Sequence, residues 1–193
     1  LPKDKKEQAK LETLDAIVVP GGFGPRGIEG KVMAATYAMD NLVPYLGLCL
    51  GLQVALIAAA RRAGLKEANS TEFDPNTPDA VVSTMAEQVG LENTGGTMRL
   101  GDYTCLLEAG SLARKIYGQA QIVERHRHRY EAGNTYRGQY EAWGIKASGL
   151  SPDGNLVEMI EVINHPYFVS TQAHPEFRSR PARPHPLFVG LLQ

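Results

Sequence analysis

A cysteine in this sequence has the surroundings that thiol-based acyl transfer needs. Cys49 is flanked by glycines two residues away on each side, in the run G-L-C-L-G at Gly47–Gly51. An apolar segment precedes it and a helical pattern follows, which is typical of a nucleophile elbow. The helix dipole would favour the thiolate, and the amide of Leu50 would point toward a developing oxyanion. Cys49 is therefore the predicted nucleophile, although a cysteine in an apolar run more often fills a core.

The predicted base, and the carboxylate that orients it, lie in the segment Q-A-H-P-E-F at Gln172–Phe177. His174 follows an apolar strand pattern, and Glu176 leaves the same stretch two residues later. A cysteine paired with a histidine distant in sequence is the expected arrangement for thiol catalysis. A structural role is the alternative for a histidine before a proline. His165 and His185 also precede prolines but have no carboxylate two residues on, and this contrast favours His174.

The elements that must position these residues follow an alternating strand and helix pattern. Residues 16–19 and 43–48 read as buried strands, each followed by a glycine-containing turn and a helix, at 30–41 and from the elbow to about Ala63. Right-handed crossovers would make the strands parallel and bring both turns to their carboxyl ends. Open α/β sheets place their sites there. The glycines of the first turn, Pro20–Gly24, would let backbone amides approach a ligand.

The rest of the chain predicts further strands and a single domain. With 193 residues the chain is long enough for one well-packed domain, assigned to 14–193 after a charged lead-in at 1–13. The polar segment 69–79 is predicted to be a loop, and 122–131 an extended segment. Strands are expected at 81–83, 103–107, 142–148, 156–162 and 167–172, with a helix at 111–117 and a helical turn at 187–192.

The most charged of the apolar-flanked segments is E-R-H-R-H-R-Y-E at Glu124–Glu131. In an extended conformation its arginines would lie on one face and its histidines on the other. Three interpretations stay open: a metal site, which lacks identifiable further ligands; a nucleic-acid patch, which conflicts with the near-neutral chain; and a solvated strand edge. The residues concerned are Arg125, Arg127 and Arg129 on one face, and His126, His128 and Tyr130 on the other.

Composition indicates a small substrate and a reducing environment. The formal net charge of -1 argues against a general polyanion binder, so no nucleic-acid partner is expected. Two cysteines, Cys49 and Cys105, are too few for a disulfide framework. Cys105 has no nearby acid, base or helix start and is assigned to the core. No apolar span of about 18 residues and no signal peptide are visible, so a cytoplasmic location without a membrane partner is expected.

Several of these motifs carry a resemblance to a known family. P-G-G-F-G, G-L-C-L-G-L-Q and Q-A-H-P-E-F resemble the class I, triad-type glutamine amidotransferases. Four further runs are similar to the carboxyl-terminal glutaminase domains of the CTP synthase family: A-N-S-T-E-F, G-G-T-M-R-L-G, E-R-H-R-H-R-Y-E and R-P-A-R-P-H-P-L-F. The resemblance covers nearly everything from Leu14 to Gln193. It implies a doubly wound, flavodoxin-like α/β sandwich of three layers, with a mostly parallel central sheet, antiparallel additions and a missing first strand.

A mechanism follows from the resemblance. Cys49 would attack the side-chain carboxamide of L-glutamine, with the oxyanion held by the amides of Gly22 and Leu50. His174 would protonate the departing ammonia and then activate water, while Glu176 fixes the imidazole.

Substrate contacts are likewise assigned by family position. Glu72 would bind the amino group of glutamine, Arg129 its carboxylate, and Gln53 would add a hydrogen bond, beside the amides of Gly22 and Leu50. From its surroundings alone, Glu72 would be an ordinary surface carboxylate.

The resemblance also implies a larger protein. A synthase domain outside this sequence would use ATP and Mg²⁺ to aminate UTP with the ammonia, in a homotetramer. The glutaminase domain itself would need no cofactor or metal, and GTP would be the activator. The stretch 87–93, where a charged regulatory loop is expected, is short, which argues against a GTP response in this chain. The alternatives are the amidotransferase domain of another synthase, a γ-glutamyl hydrolase, and a non-catalytic regulatory or assembly module.

Overall fold

A mixed α/β fold is formed by residues 9–84 and 98–193, the part of the chain that the computed structural model describes. The strands are β1 (Ile17–Val19), β2 (Tyr45–Leu48), β3 (Ala68–Ser70), β4 (Asp79–Thr84), β5 (Arg99–Leu107), β6 (Gln121–His128), β7 (Tyr130–Ala132), β8 (Ile145–Leu150), β9 (Val157–Val162) and β10 (Phe168–Thr171). The helices that cover them are α1 (Ile28–Asn41), α2 (Leu50–Arg62), α3 (Leu112–Tyr117) and α4 (Pro186–Leu191).

Most of these strands belong to one seven-stranded sheet. Its order is β1-β2-β10-β9-β8-β5-β6, in which β1, β2 and β10 are parallel and the later strands join antiparallel. Val19 pairs with Gly47, and Thr171 pairs with Leu48, so the three parallel strands end at the same edge. A smaller sheet has the order β3-β4-β7. The predicted parallel core with antiparallel additions is confirmed.

Helices cover the large sheet on both faces and create three layers. On β2, Tyr45 packs into an apolar cluster with residues of α1 and α2, whereas Leu46 packs into a second cluster with residues of α3 and α4. On β10, Phe168 and Val169 repeat this alternation, and the ring of Tyr45 stacks on Phe168 with centroids 4.2 Å apart. Strands that are apolar on both sides are typical of a buried parallel sheet. The three-layer prediction is therefore confirmed.

Some predicted elements have different bounds in the structure. The segment 69–79, predicted to be a loop, contributes its two ends to β3 and β4. The strand predicted at 142–148 begins only at Ile145, because Trp143 lies in a short 3-10 helix. The stretch 87–93 lies outside the described residues. Among the residues described, no helix has the length and apolar character that crossing a bilayer requires.

The charged segment divides between the two sheets rather than forming a single extended element. β6 ends at His128 as the edge strand of the large sheet, and β7 begins at Tyr130 in the small sheet. Arg129 lies at the crossing. Along β6 the burial alternates, with arginine side chains exposed and histidine side chains buried. The prediction of opposite faces is confirmed for residues 125–128 and does not hold for Arg129 and Tyr130, which are both half-buried outside β6. The prediction of one continuous extended segment is wrong.

Candidate active site

Cys49 occupies a strained turn between β2 and α2. Its φ of 52° lies in the left-handed region, which non-glycine residues rarely adopt. The surrounding hydrogen bonds hold it there, since its amide donates to the carbonyl of Thr171 at 2.8 Å and its own carbonyl accepts from the amide of Leu52 at 3.0 Å. Such strain is typical of functional residues. The predicted nucleophile elbow is therefore present, with the cysteine one residue before the first residue of α2.

The two glycines of the elbow permit very close backbone packing. A Cβ atom placed on Gly47 would lie 2.6 Å from both the carbonyl oxygen of Gly51 and the Oγ of Ser170. A Cβ placed on Gly51 would overlap with the carbonyl oxygen of Val19. The start of α2 thus packs closely against β1 and β2. The G-x-C-x-G spacing is required by this contact, as well as by the turn itself.

His174 and Glu176 follow the end of β10 and form a close pair. Nδ1 of the imidazole lies 2.6 Å from Oε1 of Glu176. The amide of His174 donates to the carbonyl of Arg125 on β6 at 2.7 Å, and the imidazole stacks on the ring of Phe177 with centroids 5.0 Å apart. Because Nδ1 faces a carboxylate, it carries the proton in the neutral ring, and Nε2 is the nitrogen available for acid–base chemistry.

The imidazole and the cysteine both pack against Gly21. A Cβ placed on this glycine would lie 2.7 Å from Cε1 of His174 and 3.5 Å from Cβ of Cys49. Nε2 of His174 is buried and makes no hydrogen bond of standard geometry within the described structure. The turn predicted to complete the site therefore leaves no room for a side chain at Gly21, where base and nucleophile come together.

The charge state of the pair is set by its surroundings. Burial by itself lowers the pKa of His174, but the neighbouring Cys49 and Glu176 outweigh burial and raise it to about 10. Burial would raise the pKa of Glu176, and its hydrogen bond to His174 instead lowers it below 4.5. An imidazolium is therefore the prevailing form at neutral pH, and it stabilises a nearby thiolate electrostatically.

Replacing Glu176 with glutamine is expected to flatten the pH dependence of stability between about pH 7 and 10. The pKa of His174 is about 10 in the folded protein and 6.5 in the unfolded chain, so protonation of this histidine raises the free energy of unfolding. This stabilisation is fully present below pH 6.5 and is lost as pH rises through 10. Without the carboxylate, the folded pKa falls and this alkaline loss becomes smaller. Urea unfolding from about pH 6 to pH 10 measures the difference between the two proteins.

Glu29→Gln is the matched control for this experiment. Glu29 is a carboxylate on α1 with an exposed side chain paired to Arg61, away from the imidazole. Its substitution is expected to leave the alkaline slope unchanged. Equal slopes for the native protein and Glu176→Gln would contradict the assigned role of Glu176.

Further polar groups surround the sulfur of Cys49. Nε2 of Gln172 donates to Sγ at 3.7 Å, and the carbonyl oxygen of Arg127 lies 3.9 Å from it. Gln53, a predicted substrate contact, is buried and donates from Nε2 to the carbonyl of Tyr130 at 2.9 Å and to Oε1 of Gln172 at 3.4 Å. Gln53 therefore lies beside the cysteine. Its side-chain amide nitrogen binds the first residue of β7.

The two predicted oxyanion donors are neighbours. A Cβ placed on Gly22 would lie 3.1 Å from the Leu50 side chain and 3.7 Å from Nζ of Lys31. Leu50 is the first residue of α2, and a first-turn amide has no acceptor within its own helix. The glycine turn thus packs against the side chain of the residue that follows Cys49, and an ammonium group lies close to the turn.

The two predicted recognition side chains have different surroundings. Glu72 is partly buried and its Oε1 accepts a hydrogen bond from the amide of Gly24 at 2.8 Å, which joins it to the glycine turn. Arg129 lies at the crossing from β6 to β7, next to the Tyr130 carbonyl that Gln53 contacts. Its guanidinium makes no hydrogen bond or ion pair with the residues that the structure describes, so it is available to an anionic ligand.

Sequence reasoning did not identify two residues that border the cysteine. Gln172 stands inside the Q-A-H-P-E-F motif, and Gly21 is the first member of the glycine pair in P-G-G-F-G. Each therefore carried a visible signal. Their roles depend on which side chains meet across the sheet, which the spacing along the chain does not specify.

Comparison with known proteins adds to this geometry. The family model described as glutamine amidotransferase class-I matches residues 1–193. The chain belongs to the class-I glutamine amidotransferase family. This chain is 59% identical to a CTP synthase of Nocardioides sp. over an alignment of 189 residues, and the match covers 94% of this chain and 33% of that protein. It is 58% identical to a CTP synthase of Caldanaerobacter subterraneus, covering 96% of this chain and 35% of the relative.

Solved structures agree with these relatives. The glutaminase domain of Trypanosoma brucei CTPS with bound acivicin is similar with a TM-score of 0.93 and 36% identity, over 99% of this chain and 74% of that one. A glutamine amidotransferase from Thermotoga maritima is similar in fold, with a TM-score of 0.54 at 15% identity over 86% of this chain and 58% of the other. The chain thus has the fold of a CTP synthase glutaminase domain. It spans about a third of the length of the CTP synthases it matches.

Proposed function

We propose that this chain hydrolyses L-glutamine to glutamate and ammonia through a cysteinyl thioester. The observation that carries the proposal is the meeting of Cys49, in its strained elbow, with a His174 whose ring is fixed by Glu176. The family membership of the chain and its similarity to CTP synthase glutaminase domains support the same reaction.

The first half of the reaction forms the thioester. The sulfur of Cys49 attacks the carboxamide carbon, a C–S bond forms, and the carbonyl electron pair moves onto oxygen. The amides of Gly22 and Leu50 stabilise this oxyanion. When the carbonyl forms again, the C–N bond breaks and Nε2 of His174 gives its proton to the departing nitrogen. A pKa of about 10 keeps the imidazole protonated at neutral pH, as this step requires.

The second half releases glutamate. His174, now neutral, takes a proton from water while the water oxygen attacks the thioester carbon. A second oxyanion forms at the same two amides and collapses with cleavage of the C–S bond, which returns the thiolate. Glu176 stabilises each imidazolium that arises and holds Nδ1 in place.

Recognition of the amino acid head group is assigned to Glu72 and Arg129, with Gln53 adding a hydrogen bond. Glu72 accepts a hydrogen bond from the amide of Gly24, two residues from Gly22, which supports its assignment to this site. A carboxylate suits the ammonium group of glutamine, and an arginine suits its carboxylate. Arg129 is supported by its position one residue from Tyr130, whose carbonyl contacts Gln53.

Arg129→Met is expected to raise KM for glutamine by about 10-fold to 100-fold, because a charge-assisted hydrogen bond to the substrate is lost. The kcat should change much less, since the head group is bound equally in ground and transition states. Steady-state ammonia release at varied glutamine measures both constants. Arg125→Met is the control, since Arg125 is an exposed arginine on the preceding strand β6. Equal KM values for native protein and Arg129→Met would contradict the assignment.

The reaction itself is tested by incubating purified protein with glutamine and measuring glutamate and ammonia. Release of the two products in equal amounts is expected, with loss of both in the triad variants. Covalent labelling of Cys49 by an electrophilic glutamine analogue, followed by mass spectrometry, checks the nucleophile directly. A folded protein that shows neither turnover nor labelling would instead support a non-catalytic module of this fold.

For the whole protein, we propose a CTP synthase in which ammonia from the 14–193 domain passes to a synthase domain that aminates UTP. That domain would use ATP and Mg²⁺, with GTP as activator, in a cytoplasmic homotetramer. The CTP synthase relatives, which are about three times as long as this chain, support the proposal. In the full-length protein, Cys49→Ala should abolish CTP formation with glutamine and retain it with ammonium chloride. Loss with both nitrogen sources would count against separate domains.

A further inference from the structure

Two histidines of β6 form a buried pair that has no role in the mechanism proposed above. His126 and His128 each have only 1% of their surface exposed. Nδ1 of His126 lies 2.9 Å from Nε2 of His128, and the rings are 5.2 Å apart between centroids. No group of three metal-binding side chains is found among the described residues, this pair included. The structure therefore joins the two imidazoles to each other.

The pair is connected to the chain on either side of Arg129. Nδ1 of His128 lies 3.2 Å from the carbonyl oxygen of Tyr130, two residues on. The same carbonyl accepts from Nε2 of Gln53 at 2.9 Å. The imidazole of His128 thus closes a short loop around Arg129, where the chain leaves the large sheet for the small one.

The protons of the pair follow from these contacts. A carbonyl oxygen can only accept, so Nδ1 of His128 carries a proton and its Nε2 accepts from Nδ1 of His126. Burial lowers the pKa of His126 to about 3 and that of His128 well below 6.5, so both rings are neutral. Nε2 of His126 is then unprotonated, which agrees with its 3.8 Å separation from Oε2 of Glu158. Each ring has one defined tautomer.

Charged groups behind the pair hold this arrangement. Arg99 on β5 pairs with both carboxylate oxygens of Glu158 on β9, at 2.5 Å and 3.2 Å, and lies 3.6 Å from Oε2 of Glu131 on β7. Its guanidinium also lies 4.3 Å over the ring of Tyr103. The ring of Tyr103 in turn meets the imidazole of His126 edge to face, with centroids 5.4 Å apart, so this network packs against the pair.

We propose that His128, held in one tautomer by His126, is a positioning residue for the carboxylate-binding Arg129. Its Nδ1–H group fixes the carbonyl of Tyr130 and so the backbone from which the Arg129 side chain departs. The inference rests on the proposed function, because it assigns to Arg129 the recognition of the glutamine head group. It predicts an effect on head-group binding and none on the reactivity of the sulfur.

Two variants with matched side chains separate this role from simple packing. His128→Asn keeps an N–H donor near the position of Nδ1, whereas His128→Gln moves the donor toward the position of Nε2. Each purified protein is treated with 6-diazo-5-oxo-L-norleucine, which has the amino and carboxylate groups of glutamine, and with iodoacetamide, which has neither. His165→Asn is the control, since His165 contacts the carbonyl of Ala38 on α1 instead.

His128→Gln is expected to slow labelling of Cys49 by the norleucine reagent about 10-fold, as loss of one hydrogen bond to a buried carbonyl allows. Iodoacetamide labelling should stay within about 2-fold of the native rate. His128→Asn should restore norleucine labelling to within about 3-fold, and His165→Asn should leave both rates unchanged. The rate constants come from mass spectrometry of samples quenched over time.

Three results would overturn the inference. Equal slowing with both reagents would indicate general damage to the site, and no slowing in His128→Gln would show that Arg129 is positioned without the imidazole. If the His128→Gln protein fails to fold, the histidine is required for folding and its role is not the positioning of Arg129. If the native protein reacts with iodoacetamide but not with the norleucine reagent, the proposed function fails instead, so the two failures are distinguishable.

Discussion

Cys49→Ala is expected to lower kcat for glutamine hydrolysis by on the order of 10⁴-fold or more, the usual scale for removing the nucleophile of a triad. Without the sulfur no thioester forms, and water would have to attack a carboxamide without covalent help. The oxyanion donors and the binding residues remain, so KM should change little. Ammonia release under saturating glutamine measures the loss.

Cys105→Ala provides the control with the same chemical change. Cys105 is buried in the cluster that faces α3 and α4, and burial raises the pKa of its thiol far above the usual range, so it stays neutral. Its substitution should cost a modest amount of stability while turnover is retained. Full glutamine turnover in Cys49→Ala would show that Cys49 is not the nucleophile. Equal losses of turnover in Cys49→Ala and Cys105→Ala would indicate unfolding.

Gly51→Ala should destabilise the protein by about 3 kcal/mol and remove most activity. The new Cβ overlaps with the carbonyl oxygen of Val19, and neither of the two backbones can move without separating α2 from β1. Alanine normally gains about 0.5–1 kcal/mol over glycine in a helix, which does not offset this collision. Because α2 begins at the catalytic turn, its displacement also moves the Leu50 amide. Urea denaturation and glutaminase assays report the two effects.

Gly30→Ala is the matched control on the neighbouring helix. Gly30 is an exposed residue inside α1, and a Cβ placed on it meets nothing within 4 Å. The substitution is therefore expected to raise the free energy of unfolding by about 0.5–1 kcal/mol without changing kcat. If Gly51→Ala were as stable as Gly30→Ala, the close packing of the elbow against β1 would be wrong.

The parts of the site that sequence reasoning predicts are those encoded locally. The elbow combines a buried strand, two glycines and a helix start within a few residues, so Cys49 and the direction of its side chain follow from the pattern. The same holds for His174 and Glu176, which leave one strand end together. The parallel core follows from the alternation of strands and helices, because crossovers have one hand.

Contacts between distant segments are what the sequence could not specify. The division of 122–131 into β6 and β7 depends on which sheet offers a partner: His128 pairs with Arg99, whereas Tyr130 pairs with Thr84. No local pattern encodes that choice. Likewise, Gln172 became a neighbour of the sulfur only through the pairing of β10 with β2. Strand bounds were the least predictable feature, since turns and pairing, not apolar pattern, set where strands end.

The edge strand β6 also sets the spacing of the catalytic groups. The amide of His174 bonds to the carbonyl of Arg125, and the sulfur of Cys49 lies near the carbonyl of Arg127. Carbonyls two residues apart on one strand point the same way and are separated by about 7 Å. On β6, both contacts use only main-chain carbonyl groups. The distance between base and nucleophile is thus independent of the side chains at these two positions, which leaves that surface free to diverge while the chemistry is preserved.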